Sequence, residues 1–310
     1  MTNARTTIAS EIPYCLIIIR DRTNLKSRIT LPVHGSNQNC RGRANASVQQ
    51  ILSAFVLTLV GSSAANAGEI TAEDGGCNNG GPDIVTDRPD VTNSSVVVPR
   101  GAVQLENGIN WTTGQGATVI DGSNSRLRIG VARCTEVLFD LPNYVHPLRG
   151  PVSAGFSDFS PAIKRQLGLL PGDIELSATV GLELPIGTTK IAASGYGAYV
   201  QFPWSKEIAN GWGLSGMFTA FLIPGEPASN PTLEATLAAE RQIGSRFDFF
   251  VEYVTDHPLR GVSGQVLDSG GAYRVSPTQQ IDIHVGVGLN RAAPDYLFGL
   301  GYSFRFDNLF

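Results

Sequence analysis

Two copies of one short motif combine the residue types that bind anions. The motif His-Pro-Leu-Arg-Gly occurs at residues 146–150 and again at residues 257–261, and a serine follows each copy. The sequence predicts both copies in loops, and His146, Arg149, His257 and Arg260 could then hold a carboxylate or phosphate group. Proline and glycine favour turns whatever the function, so the repeat is also explained by loop chemistry alone, which we favour.

Sequence fingerprints of common enzymes and metal sites are absent. The chain has no G-x-S-x-G, H-E-x-x-H, phosphate-binding loop or dinucleotide fingerprint in a suitable context. It also lacks the C-x-x-C spacing that structural zinc sites use. We therefore expect no enzyme activity, no catalytic residues, no cofactor and no metal.

The remaining charged side chains alternate with apolar ones, which is the pattern of β-strands that have one polar and one apolar face. The last segment shows it best: Tyr296, Phe298, Leu300, Tyr302, Phe304 and Phe306 share one face, opposite Arg305. The charged faces of all segments together carry Glu106, Arg126, Arg128, Glu136, Asp140, Glu175, Glu183, Glu234, Glu240, Asp248, Glu252, Asp282, His284 and Arg305.

These segments predict an all-β fold, a transmembrane antiparallel up-and-down β-barrel of about twelve strands. The mean hydropathy is +0.01 and no run of eighteen apolar residues occurs, which excludes a helical membrane protein but not a barrel. The strands are predicted to begin near Gly101, Ser125, Thr135, Gly155, Asp173, Gly197, Gly211, Pro231, Arg246, Gln265, Gln279 and Asp295. Short turns at one end and longer loops at the other place both termini in the periplasm.

The N-terminal region has the features of an export signal. Arg41 and Arg43 precede an apolar run at 51–60, and a cleavage site of the A-x-A type ends at Ala67. We expect residues 1–67 to be removed as leader and signal peptide, residues 68–100 to form an irregular segment, and residues 101–310 to form the barrel. The alternative for the apolar run is a buried helix.

Charge and cysteine content agree with export. Residues 1–67 hold 7 basic and 2 acidic side chains, which leaves 16 basic and 25 acidic residues, a net charge of −9, in the remainder. An acidic chain without basic, aromatic-rich patches is a poor nucleic-acid binder. Cys77 and Cys134 remain after cleavage, and in an oxidising compartment they either form a disulfide or stay as two thiols.

Two blocks of sequence resemble one family. The first joins TDRPDVT (86–92) to VVPRGAVQLE (97–106), and the second joins GVGLNRAAPD (286–295) to GLGYSFRF (299–306). Together they resemble the outer-membrane transporter family named for the meta-pathway of phenol degradation, over about residues 83–306. The resemblance implies a transporter or porin-like channel for small solutes, with aromatic compounds among the candidates.

Two features of the lumen stay open on the sequence alone. The inward charges form either a polar conduit that selects solutes or a salt-bridged filling that keeps the barrel rigid, with Arg126 and Arg128 paired to nearby carboxylates. The segment from Asp83 to Arg100 is either a plug inside the lumen or a periplasmic tail pinned by Cys77. These two arrangements differ in whether Arg88 is buried.

The sequence therefore predicts a monomeric barrel of the cell outer membrane of a Gram-negative bacterium. Its expected partners are outer-membrane lipid, the barrel-assembly machinery and a small-molecule solute. The alternatives are a structural or surface-binding barrel with a closed lumen, and an outer-membrane hydrolase. A hydrolase would need Ser, His and an acid grouped on the lipid-facing wall, whereas His146, His257 and His284 are predicted in loops or in the lumen.

Overall fold

The computed structural model describes residues 77, 81–193, 195–222 and 231–310. The predicted leader and signal peptide, and all of the segment 68–80 except Cys77, lie outside these residues. None of the described residues forms a helix that is long and apolar enough to cross a membrane. The strand segments are β1 (Val103–Gly114), β2 (Ala117–Ala132), β3 (Thr135–Asp140), β4 (Tyr144–Arg149), β5 (Gly155–Phe156), β6 (Ser160–Leu170), β7 (Ile174–Glu183), β8 (Gly197–Ala209), β9 (Trp212–Leu222), β10 (Thr232–Ile243), β11 (Phe247–Pro258), β12 (Gly264–Ser276), β13 (Gln279–Gly288) and β14 (Tyr296–Phe306).

The segments form one closed antiparallel barrel. From β6 to β14 each strand pairs with the next in sequence. The sheet continues from β6 through β3 to β2, which also pairs with β4, and β1 pairs with both β2 and β14, which closes the wall. Segments β3 and β4 share one place beside β2, and β5 and β6 share the next, because pairing is interrupted at 141–143 and 157–159. The fourteen segments therefore fill twelve strand positions, which confirms the predicted fold class.

The wall is apolar outside and polar inside, the reverse of a soluble protein. On β13, Ile283 and Val285 are 48% and 58% exposed on the outer face, while Asp282 and His284 are buried on the inner face. Because successive side chains of a strand point to opposite faces, the sequence alternation alone produces this inversion. An outer face of this kind is stable against hydrocarbon and not against water.

The two ends of the barrel differ. The end that we call the turn end carries Gly101, the last residues of the chain, and the short connections after β2, β6, β8, β10 and β12. The end that we call the loop end carries longer connections at 150–154, 184–196, 259–263 and 289–295.

Two predicted boundaries were wrong, both near β2. This strand begins at Ala117, not near Ser125, because Gln115 and Gly116 form a two-residue hairpin turn with φ of 51° and 81°. The loop predicted at the first motif copy, residues 146–150, is largely β4, which gives the first half of β2 its second hydrogen-bonded neighbour. Because β2 starts earlier than predicted, its first half needs a partner strand, and β4 is that partner. The alternating pattern of β4 is hidden in the sequence by Pro147.

The outer face yields a direct test of membrane insertion. We expect Ile283→Arg to lower the free energy of unfolding in lipid vesicles by about 2–4 kcal/mol, the cost of a cation near the bilayer midplane. Denaturant titration of the vesicle-inserted protein measures this change. The control is Val262→Arg in the loop-end connection, where the native side chain is 76% exposed and the cost should be near zero. Equal costs for the two variants would contradict the assignment of the outer face.

Candidate functional site

A segment that precedes the first strand occupies the barrel interior. Residues 84–98, which we call the lumen segment, are mostly buried, and Ile84, Val91 and Val97 are at most 5% exposed. The segment enters at the turn end, where the Ile84 N–H donates to the Pro277 carbonyl (2.6 Å), and it returns to the same end before β1. It therefore crosses the lumen as a loop whose two ends lie together.

A disulfide joins Cys77 to Cys134 in the turn between β2 and β3, with 5.6 Å between the Cα atoms. This bond attaches the chain ahead of the lumen segment to the turn end. The other end of the segment continues directly into β1. Both ends of the lumen segment are thus held covalently at the wall.

Asp87 is the main charged contact between the lumen segment and the wall. Its carboxylate lies 3.0 Å from Arg126 Nη1, 3.2 Å from Arg128 Nη1 and 3.3 Å from Lys164 Nζ. Burial alone would raise the pKa of Asp87, but Arg128, Lys164 and Arg126 hold it well below its usual range. The Asp87 backbone N–H donates to the Glu106 carboxylate (3.0 and 3.2 Å). The carboxylate therefore stays ionised and neutralises a cationic patch of the wall.

The same cations are paired with acids of the wall. Arg126 Nε is 2.6 Å from Asp140 Oδ1, and Arg128 Nη2 is 2.9 Å from Glu136 Oε1. The structure thus brings Glu106, Arg126, Arg128, Glu136 and Asp140 into the predicted ion-paired ladder. Sequence analysis did not select Lys164, although its place between the inward residues Ala162 and Gln166 of β6 signals an inward side chain.

Arg88 is 3% exposed and lies flat on the wall, which answers the question that the sequence left open in favour of a plug. Its guanidinium covers Gly108 of β1 and Gly301 of β14, which are directly paired. A Cβ at Gly108 would lie 2.4 Å from Arg88 Cζ, and one at Gly301 would lie 2.5 Å from Arg88 Nε. Arg88 Nη2 also donates to Asp282 Oδ1 at 3.1 Å. The two glycines leave the space that this arginine needs.

On the opposite wall the lumen segment makes hydrogen bonds instead of ion pairs. Glu252 accepts the N–H groups of Val91 (2.8 Å) and Thr92 (2.9 Å) and the Thr92 hydroxyl (2.6 Å). Asn93 Nδ2 donates to Gln201 Oε1 (3.1 Å). These contacts hold the tip of the segment in mid-barrel.

The other predicted lumen residues face inward but do not join the ladder. His284 Nδ1 is 2.9 Å from Asp268 Oδ2, and Arg305 donates to the Pro82 and Asp83 carbonyls (2.9 and 3.1 Å). Glu183 and Asp282 are buried. Glu175 and Asp248 are partly exposed because they lie close to the turn end.

The repeated motif does not form a shared site, and the predicted loop positions were wrong for His146, Arg149 and His257 but not for Arg260. His146 lies on β4 and His257 on β11, both with outward, exposed side chains. These strands are half the circumference apart, and the wall stands between the two imidazoles. Arg149 ends β4 and Arg260 lies in the connection at 259–263. Each copy marks the end of a strand, where Gly150 and Gly261 have φ of 91° and 138°.

A cavity of about 410 Å³ opens between the lumen segment and the wall at the turn end. Its lining includes Asp90, Glu207, Glu240, Asp248, Phe250 and Arg274. Among the described residues no group of three His, Cys, Asp or Glu side chains is placed to hold a metal ion.

Comparisons with known proteins agree with this architecture. The family model described as "Putative MetA-pathway of phenol degradation" matches residues 86–306. A search of curated sequences gave no match. The chain is similar in fold to the COG4313 outer membrane channel from Pseudomonas putida F1, with 13% identity, a TM-score of 0.51, and coverage of 68% of this chain and 97% of that one.

Two further solved barrels are more distant. The KdgM porin in complex with disordered oligogalacturonate has 7% identity, a TM-score of 0.48, and coverage of 66% of this chain and 99% of that one. The CymD monoaromatic hydrocarbon channel has 11% identity, a TM-score of 0.42, and coverage of 68% and 90%. The first of the three structures shows that this chain has the fold of an outer-membrane β-barrel.

The ion pairs of Asp87 predict the effect of removing its charge. We expect Asp87→Asn to lower the free energy of unfolding by about 3–5 kcal/mol, because it leaves buried cations short of an acid. Denaturant titration in detergent measures the change. The control is Asp307→Asn, which breaks the 2.7 Å pair with Arg305 at a site where the carboxylate is 37% exposed. That loss should be at most about 1 kcal/mol, and equal losses would show that Asp87 does not anchor the segment.

Proposed function

Because the chain belongs to the phenol-degradation family whose model matches residues 86–306, we propose that it is a channel of the outer membrane for small solutes. The observation that carries the proposal is a closed barrel whose lumen is lined and filled by polar groups. A barrel that served only as a rigid wall would need no cavity beside its filling, and this one has a cavity of about 410 Å³. Clefts of this size hold small molecules.

The polar filling favours a gated path over a sealed core. The tip of the lumen segment is held by hydrogen bonds to side chains such as Glu252 and Gln201, and such contacts can be exchanged for water at small net cost. Apolar packing against the wall could not be exchanged in this way. The segment therefore acts as a plug that stays attached by Cys77 and β1 while its tip moves.

Placement in the cell follows from the same features. The turn end faces the periplasm, since short turns lie there in barrels of this class, and both termini of the processed chain lie on that side. Cleavage after Ala67 frees the segment that leads to Cys77. The barrel-assembly machinery inserts the chain, which acts as a monomer in contact with lipid over its whole outer face.

The family description supports a small aromatic solute of the kind that phenol degradation consumes. Neither alternative has a comparable observation in its favour. A hydrolase would need histidine beside both serine and acid. His257 Nδ1 lies 2.7 Å from Ser263 Oγ, but no ion pair joins this histidine to a described carboxylate, and His146 lies on the opposite side of the barrel. The third histidine of the described residues, His284, is inside and already bonded to Asp268.

Conductance across a planar bilayer tests the proposal. We expect the wild-type protein to give small discrete openings, and a variant lacking residues 84–98 to conduct at least about twofold more, because a twelve-strand lumen is wider than its side chains can fill. Heat-modifiable mobility on a gel is the control for correct insertion of both proteins. Silent insertion of both would contradict a channel and favour the closed structural barrel.

A further inference from the structure

The two sides of the lumen hold the lumen segment in different ways. Towards β1–β3 and β6, Asp87 meets Arg126, Arg128 and Lys164 in a dense network of ion pairs. Towards β8 and β10, the contacts are single bonds between neutral groups, such as Ser95 Oγ to Ser205 Oγ at 2.7 Å. Towards β11, Glu252 accepts three hydrogen bonds from Val91 and Thr92. The segment is therefore ion-paired to one wall and only hydrogen-bonded to the other.

The cavity lies on the hydrogen-bonded side, and its charged lining consists of four acids and three arginines, Arg88, Arg241 and Arg274. Arg88 is paired with Asp282, and Arg241 donates to the Asn210 carbonyl. Glu207, Glu240 and Asp248 face it from the wall, and Asp90 faces it from the lumen segment. No ion pair joins Asp90, Glu207 or Glu240 to any described arginine or lysine, and Glu240 accepts a hydrogen bond from Ser215. Arg274 is occupied by Asp248 (3.2 Å) and by Asp83 (3.7 Å).

The acidic lining continues above the cavity towards the loop end. Glu234 of β10 is paired directly with Asp256 of β11, and Glu252 of β11 with Asp268 of β12, all on the inner face. Like charges placed opposite each other on neighbouring strands are destabilising. Strand alternation makes Arg274 the sole inward-pointing arginine or lysine of the described strands β8–β12, and Arg241 of β10 also lines the cavity. This wall therefore carries a stripe of carboxyl groups that outnumber the arginines facing them.

The pKa of Asp90 reflects the same excess of carboxyl groups. Burial raises the pKa of Asp90 well above its usual range, and the nearby Glu252 and Glu240 carboxyl groups raise it further. The surrounding carboxyl groups that favour a proton on Asp90 would also favour a cation that passes it.

We infer that solutes pass between the lumen segment and the β8–β12 wall, and that the carboxyl stripe makes this path favour cationic over anionic solutes; among the small aromatic solutes proposed above, those that carry a protonated amine are favoured. The inference rests on the proposed channel function and adds the charge class of its solute. Clefts lined by one sign of charge raise the local concentration of the opposite sign. The ion-paired side of the lumen, towards β1–β3 and β6, stays closed while solutes pass.

Reversal potentials under a potassium chloride gradient at pH 8 measure charge selectivity. We expect the wild-type channel to prefer K⁺ over Cl⁻ and the double variant Glu207→Gln, Glu240→Gln to lose about half or more of that preference. The matched control is Asp173→Asn, an exposed turn-end position outside the lumen with φ of 58°, which asparagine also adopts. This control should keep the wild-type potential. Anion preference, or an unchanged potential in the double variant, would overturn the inference.

A labelling experiment reports on the stripe even if no current is seen. In protein prepared without residues 1–67, which hold Cys15 and Cys40, Glu240→Cys introduces a single free thiol into the cavity, since Cys77 and Cys134 are bonded to each other. A cationic methanethiosulfonate should modify it at least about tenfold faster than an anionic one, relative to the same ratio at Asp173→Cys. If no conductance is seen but this labelling ratio is found, the channel proposal is rejected and the cation-attracting cavity is retained. Conductance with equal relative rates at the two positions would retain the channel and reject the stripe.

Discussion

The arrangement of the lumen depends on one buried contact, the Asp87 carboxylate among Arg126, Arg128 and Lys164. Three cations, two on β2 and one on β6, could not stay buried together without acids to neutralise them. Glu106, Glu136 and Asp140 supply part of that charge from the wall, and Asp87 supplies the rest from the lumen segment. The buried charges of the wall are thus balanced only when the lumen segment is in place.

This constraint also divides the barrel into two functional halves. Ion pairs of this density resist exchange with water, so the β1–β6 side is a fixed seat. The β8–β12 side carries carboxyl groups and is joined to the segment by hydrogen bonds, with a cavity between them at the turn end. A single closed sheet therefore provides both an anchor and a path, because the cations are concentrated on one arc of its inner face and the carboxyl groups dominate the other.

Much of the fold could be predicted because strand periodicity fixes which face each side chain occupies. The twelve strand positions, the inward charges and the pairing of Arg126 and Arg128 all follow from alternation within short windows. The lengths of β2 and β4 could not be predicted, since a hairpin at Gln115 and Gly116 and a strand containing Pro147 both look like loop sequence.

The position of the segment before β1 was not decided by the sequence either. Strand alternation gives no information about a segment that forms no strand. The sequence of residues 83–100 is therefore equally compatible with a periplasmic tail and with a plug in the lumen. The signal that could have separated them is steric and long-range: Gly108 and Gly301 are paired across β1 and β14 and leave space for Arg88. Seeing this needs the register of the closed barrel, as does seeing that His146 and His257 lie on opposite sides.

Amide hydrogen exchange of the membrane-inserted protein tests the central claim, that the lumen segment is seated in the barrel. The account predicts that the N–H groups of Asp87, Val91, Thr92 and Val98, which donate to the wall carboxylates Glu106, Glu252 and Glu136, exchange about as slowly as those of the strands. Exchange of these amides at the rate of an unfolded peptide would place the segment outside the lumen and contradict the account.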